Sequence, residues 1–268
     1  MSTLYLTIIQ THLYWEDKKA NLSALEEKIN AIKTPAELVV LPEMFSTGFS
    51  MRPEEFAEKM DGPAVAWMRK IAASKKIILT GSLIIEEQGN FYNRLIWMLP
   101  NGDCGHYDKR HRFAFAGEDK KYTAGSKRLI ASVKGWKINL QVCYDLRFPV
   151  WSRQSPSPGE KEAGRSEYDL LVYVANWPER RSLAWKTLLQ ARAIENQSYV
   201  AGVNRVGEDG NQIRHSGDSM IIDPLGEIVY QQTGKEDVFT YCLQKSRIEE
   251  VRNKFPFWKD ADHFFIEP

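Results

Sequence analysis

The stretch LQVCYDLRFPVW, residues 140–151, sets a cysteine at the end of an apolar, strand-like run and follows it at once with Tyr-Asp-Leu-Arg-Phe-Pro. A short apolar run bounded by turn signals reads as a strand buried on both faces. Cys143 therefore stands where a strand must turn, and in a layered α/β domain the turn beyond a strand's C-terminal end faces the crevice where ligands bind.

Similar runs recur on either side. LYLTII (4–9), ELVVLP (37–42), KIILTGSLII (76–85), NRLIWML (93–99), WKINLQV (136–142), YDLLVYV (168–174) and SYVAGV (198–203) read as strands. Helical patterns lie between some of them, at 17–32, 63–74 and 182–197, with Pro63 suited to a first helical position. Strands alternating with helices predict an α/β layered domain. GDSMIIDPLGEIVYQQTG reads instead as two strands joined by a turn at 223–226, so antiparallel pairing is added and the sheet is expected to be mixed. SPSPGEKEAGRSE, 155–167, is rich in Pro, Gly and charge and reads as a surface loop. No repeat or low-complexity tract marks an interdomain linker, and a single domain over 1–268 is expected.

The chain has 268 residues, enough for a substantial core, with 43% hydrophobic and 26% charged residues. A formal net charge of +1 gives no global reason to expect a polyanion, so no nucleic-acid partner is expected. Three widely spaced cysteines, at 104, 143 and 242, do not make a disulfide framework and fit a reducing compartment. The N-terminus lacks the basic region of a signal peptide, and no segment approaches the roughly 18 apolar residues of a membrane helix. A cytoplasmic protein with no membrane partner is expected.

A cysteine at a strand end can act as a nucleophile, with the backbone N–H of Tyr144 next to it directed at a developing oxyanion. It can equally be a small buried hydrophobe. As a nucleophile it needs a base or a cation beside it. The five histidines, at 12, 106, 111, 215 and 263, show no arrangement that singles one out. Glu43 does stand out: a carboxylate among hydrophobes where an apolar strand runs into Pro42, costly unless a cation accompanies it. Lys109 in YDKRHRF is a candidate cation, though it also belongs to a basic run of four residues, and Glu118 in AGEDKKYTAG is a second candidate carboxylate. The chain has no Cys-x-x-Cys, His-Glu-x-x-His, Gly-x-Gly-x-x-Gly or P-loop pattern, so neither a metal nor a nucleotide cofactor is expected.

Taken together, LPEMFSTGF with Glu43, YDKRH with Lys109 and VCYDLRFPVW with Cys143 resemble, in that order, the three signature regions of the nitrilase superfamily of carbon–nitrogen hydrolases. Glu118, followed by Thr123-Ala124-Gly125, matches a second family glutamate and its turn. The resemblance continues through ANWPERRSLAWKTLLQARAIENQ and GDSMIIDPLGEIV, and the bacterial omega-amidases look most similar. It implies a four-layer αββα sandwich and a homodimer paired through helices, with the 182–197 helix and the aromatic segment FPFWKDADHFF as interface candidates. It also implies Cys143 as nucleophile, Glu43 as general base and Lys109 as oxyanion stabiliser. Glu118 would orient Lys109 or the substrate.

An omega-amidase substrate is a small amide bearing a 2-oxo acid carboxylate, which calls for a fixed cation. Arg147, Arg180 and Arg181 are the candidates, and Arg147 could also brace the turn. Asn176 and Trp177, at the end of YDLLVYV, and Tyr144 are expected to line the pocket. Another small-amide or N-carbamoyl amide hydrolase, a nitrilase, and a catalytically silent binding protein of the same fold are the rival readings.

Overall fold

The computed structural model describes residues 2–155, 159, 166–262 and 264–266; most of the loop expected at 155–167, and His263, lie outside the described residues. Thirteen strands among them form two sheets. The first holds β1 (Thr3–Gln10), β2 (Leu38–Val40), β3 (Ile78–Glu87), β4 (Asn90–Met98), β5 (Cys104–Asp108) and β13 (Asp237–Gln244), in the order β13-β1-β2-β3-β4-β5. The second runs β10-β11-β9-β8-β7-β6, with β12 paired to β11; its strands are β6 (Leu129–Val133), β7 (Trp136–Val142), β8 (Leu170–Ala175), β9 (Tyr199–Asn204), β10 (Val206–Glu208), β11 (Arg214–Ile222) and β12 (Ile228–Thr233). Both sheets are mixed. β1, β2 and β3 run parallel, as do β7, β8 and β9, and antiparallel strands complete the edges.

Alternation along the central strands explains the layers. Leu38 and Val40 of β2, and Leu4, Leu6 and Ile8 of β1, point between the sheets and meet Ile138, Leu140 and Val142 of β7 and Leu170, Val172 and Val174 of β8. The intervening side chains point outward. Val39 packs with Leu25 and Ile29 of helix α1 (Lys18–Asn30) and with Val65, Met68 and Ile71 of α2 (Pro63–Lys75). On the other side, Leu171 and Tyr173 pack with Trp185, Leu189 and Ala193 of α3 (Ser182–Asn196). Helices thus cover the outer face of each sheet, which gives the expected αββα sandwich. Covered on both faces, the parallel strands read as continuous apolar runs.

Gly202 on β9 lets α3 approach closely: an added Cβ would lie 2.4 Å from Leu189 Cδ1 and 2.8 Å from Trp185 Cζ2. A last helix, α4 (Lys245–Lys254), inserts Ile248 into the core between the sheets. Among the described residues, no helix is long and apolar enough to cross a membrane. α3 turns Trp185, Leu189 and Ala193 inward and leaves Leu183 and Ile194 exposed; in the C-terminal segment Trp258 is buried whereas Phe257 and Phe265 are exposed.

Candidate active site

Four chain segments meet where β2, β5, β7 and β8 end. After β2 the chain turns through Met44 at φ +43°, held by Ser82 of β3, whose Oγ accepts from Met44 N at 2.8 Å and whose carbonyl accepts from Phe45 N. Glu43 is thereby turned into the interior. Lys109 follows β5 directly, and its backbone N–H donates to the Asn93 carbonyl of β4. The Lys109 carbonyl accepts from Gly125 N, and this turn needs a glycine because a Cβ there would sit 2.0 Å from the Asp108 carbonyl oxygen. Cys143 opens a 3₁₀ turn, Cys143–Arg147, at φ +46°, a backbone region that non-glycine residues seldom adopt and that tends to mark functional sites. Asn176 and Trp177 follow β8.

The side chains converge as an ion triplet. Lys109 Nζ donates to Glu43 Oε1 at 2.9 Å and to both Glu118 oxygens, each at 2.9 Å. All three groups are essentially inaccessible to solvent. Glu43 Oε1 also accepts from Asn93 Nδ2 (2.8 Å), and its Oε2 accepts from the Asn176 backbone N–H (2.8 Å). Glu118 heads a short helical turn, Glu118–Lys121, and accepts from Phe113 N as well. The carboxylates are thus fixed from three directions, and the ammonium between them is fixed in turn.

Burial alone would lower the pKa of Lys109, but Glu118 and Glu43 outweigh it and hold the ammonium above its ordinary value. Burial, reinforced by Glu43, raises the Glu118 carboxyl, while Lys109 opposes the shift. Burial and the Glu43 charge push the Cys143 thiol well above its usual range, against the smaller pull of Lys109. Two carboxylates already share one ammonium, so a thiolate would add a second uncompensated negative charge. The resting site therefore favours the thiol over the thiolate. Glu43 is, after burial, the group that acts most strongly on the sulfur.

The sulfur and the Lys109 head lie at the bottom of a cavity of about 570 Å³. Phe49, Phe113, Tyr144 and Trp177 contribute apolar wall, and Lys109 Nζ stands 5.2 Å from the Phe49 ring centroid. Arg147, Arg180 and Arg181 also line it. Arg147 lies over the Trp177 ring (5.1 Å) and Arg181 over Phe113 (5.0 Å). None of the three forms an ion pair among the described residues. Burial and the neighbouring Arg180 lower the Arg181 pKa, a sign of unneutralised positive charge at the mouth.

The structure brings every sequence-predicted site residue, Glu43, Lys109, Glu118, Cys143, Tyr144, Arg147, Asn176 and Trp177, to this one place. Trp177 is at once cavity wall and core: its ring packs against Trp185 and its Nε1 donates to the Arg181 carbonyl. Asn93 was not anticipated. A lone amide inside the apolar run NRLIWML was the available signal, since a buried polar side chain requires partners. Among the described residues, no group of three His, Cys, Asp or Glu is arranged to hold a metal ion.

Residues 5–253 match the family described as carbon–nitrogen hydrolase. The chain belongs to that family. This carbon–nitrogen hydrolase is 42% identical over 265 residues to omega-amidase YafV of Escherichia coli strain K12, covering 98% of this chain and 99% of the relative. It is 29% identical over 258 residues to 2-oxoglutaramate amidase of Bacillus subtilis strain 168, covering 95% and 96%. Its fold matches the crystal structure of a carbon–nitrogen hydrolase superfamily protein from Xanthomonas campestris with an arsenic adduct in its active site, at a TM-score of 0.96, 43% identity and full coverage of both chains. The carbon–nitrogen hydrolase is accordingly a nitrilase-superfamily enzyme acting on carbon–nitrogen bonds other than peptide bonds.

Proposed function

We propose that this enzyme is an omega-amidase, which hydrolyses the terminal amide of 2-oxoglutaramate or 2-oxosuccinamate to the 2-oxo acid and ammonia. One observation carries the reading beyond the family: a thiol and a buried ammonium line a cavity that also holds Arg147, Arg180 and Arg181, none of them ion-paired among the described residues. A substrate carboxylate supplies the missing counter-charge while its far amide reaches the sulfur. Identity to the Escherichia coli omega-amidase over nearly the whole chain supports the same assignment.

The chemistry follows from the groups. Glu43 accepts the Cys143 proton as sulfur attacks the amide carbon, and the carbonyl electron pair moves onto oxygen. That oxyanion is met by the Lys109 ammonium and by the N–H of Tyr144, which lies in a first helical turn where backbone N–H groups have no intrahelical acceptor. Glu43 then passes its proton to the nitrogen, the C–N bond breaks, and ammonia leaves a thioester on Cys143. Water, deprotonated by Glu43, attacks the thioester; the 2-oxo acid departs and the sulfur regains its proton. Glu118 touches neither reacting bond in this scheme and keeps Lys109 charged and aimed.

Three free cysteines are compatible with a reducing compartment, and the proposal includes the cytoplasm as that compartment; the exposed Leu183 and Ile194 of α3 support that helix as the first candidate for a homodimer contact. The substrate assignment is tested by comparing 2-oxoglutaramate with its 1-methyl ester. Loss of at least 100-fold in kcat/KM on esterification supports carboxylate recognition; equal turnover removes the omega-amidase reading and leaves a general amide hydrolase.

A further inference from the structure

One buried carboxylate that the reaction scheme does not use ties the nucleophile's turn to the strand end bearing Lys109. Asp145, two residues beyond Cys143, is wholly buried. Its Oδ2 accepts from Val142 N at 3.0 Å and from the Tyr107 hydroxyl at 2.8 Å. Its Oδ1 accepts from His111 N at 3.0 Å and lies 2.8 Å from His111 Nδ1. A carboxylate only accepts, so His111 carries a proton on Nδ1.

Tyr107 and His111 stand two residues before and two residues after Lys109. Both are also gripped by the segment that follows Cys143. The Tyr107 oxygen accepts from Trp151 Nε1 at 2.9 Å, and the His111 ring stacks on Phe148 with centroids 3.8 Å apart and planes 5° from parallel. Burial and the adjacent Asp145 raise the Tyr107 phenol, so its hydroxyl stays a donor. The arrangement demands a carboxylate. Each oxygen of Asp145 faces one backbone N–H, of Val142 or of His111, so an asparagine would set its NH₂ against an N–H in either orientation.

We propose that Asp145, acting through His111 and Tyr107, is the positioning residue that fixes the Lys109 ammonium relative to the Cys143 sulfur. The inference rests on Cys143 as nucleophile and Lys109 as its electrostatic partner. Lysine is a point charge on a flexible four-carbon stem. Glu43 and Glu118 hold its head, and the Asp145 bridge holds its main chain to the strained turn that bears the thiol. A displacement of about 1 Å between such groups lowers turnover on the order of 100-fold.

Two replacements at His111 separate positioning from packing. His111→Phe keeps the stack on Phe148 and removes the side-chain donor; His111→Asn removes the ring and presents an amide N–H near the place of Nδ1. The inference predicts that His111→Phe lowers kcat about 10- to 100-fold with KM changed less than threefold, while His111→Asn stays within about fivefold of wild type. Alkylation of Cys143 by iodoacetamide, followed by peptide mass, should give the same ranking without any substrate. If wild type turns over no 2-oxo amide and the alkylation ranking holds, the substrate reading fails and the positioning role stands. A His111→Phe protein equal to wild type in both assays, or a His111→Asn protein as impaired as His111→Phe, overturns it. Thermal melts of both variants verify that each is folded, and Tyr107→Phe, which deletes the other side-chain donor, should lower kcat in the same way.

Discussion

Replacing Lys109 with methionine keeps a side chain of similar length and removes its charge. On the proposed mechanism it deletes one of two oxyanion donors, a loss of about 100- to 1,000-fold in kcat, or roughly 2.7–4 kcal/mol of barrier. The structure adds a second cost. Lys109 is the only cation within hydrogen-bonding distance of either Glu43 or Glu118 among the described residues, so the variant leaves two buried carboxylates facing each other. Breaking a buried ion pair by deleting one partner typically costs about 3–5 kcal/mol. For a chain of this size that corresponds to a fall in Tm on the order of 10 °C.

The cost should depend on pH with a definite sign. The Glu118 carboxyl is already raised above its ordinary value of 4.5, by burial first and Glu43 among the other causes; without the ammonium it rises further. Above 4.5 the folded variant then binds more protons than the unfolded chain, so its stability falls as pH rises through that window and is recovered on acidification. Adding Glu118→Gln to Lys109→Met removes one of the opposed charges and should restore much of the Tm at neutral pH while leaving kcat depressed. Melting curves from pH 5 to 8 and ammonia release on wild type, the single variant and the double variant make the comparison. A single variant that melts like wild type at pH 7.5, or a double variant no more stable than the single, would refute the argument.

Other expectations concern the frame and the cavity wall. Gly202→Ala forces a methyl group against Leu189 and Trp185 and should cost about 1–3 kcal/mol, read as a lower denaturant midpoint with unchanged slope. Burial, then Arg205, lowers His215 from 6.5 to about 4, so the folded protein keeps this imidazole neutral while the unfolded chain protonates it. Stability should therefore be full above about pH 6.5 and drain away as pH falls toward 4, by at most about 3 kcal/mol. His215→Gln should flatten that part of the stability profile, and an unchanged acid limb would assign the loss elsewhere. Arg147→Met should raise KM for 2-oxoglutaramate at least tenfold with a smaller change in kcat; equal kinetics would exclude Arg147 from carboxylate recognition.

Much of this was legible in the chain because the core strands are buried on both faces. WKINLQV corresponds residue for residue to β7, and YDLLVYV and SYVAGV lie within two residues of β8 and β9. Edge strands were harder to see. CGHYD carries few apolar residues and LIASV is only five residues long; both take their pairing from β4 and β7, and DVFTYCLQ becomes β13 through its full-length antiparallel register with β1, more than two hundred residues away. Such pairing is a tertiary property that local patterning does not contain. The same contrast holds at the site. Glu43 and Cys143 were visible as misfits at strand ends, whereas Lys109 and Glu118 looked like ordinary charges in polar runs until burial paired them. Asn93 and Asp145 were the least visible, because their roles depend on which donors the fold brings to them.

The central claim is that Cys143 carries an amide hydrolysis selective for 2-oxo acids. Its most direct test is ammonia release by wild type and Cys143→Ala from 2-oxoglutaramate, 2-oxosuccinamate, glutamine, asparagine, an N-carbamoyl amine and a simple nitrile. The account predicts turnover of the two 2-oxo amides, little of the others, and none by a folded Cys143→Ala protein. Ammonia release that survives the substitution, or wild-type preference for the nitrile or the carbamoyl amine, would contradict it.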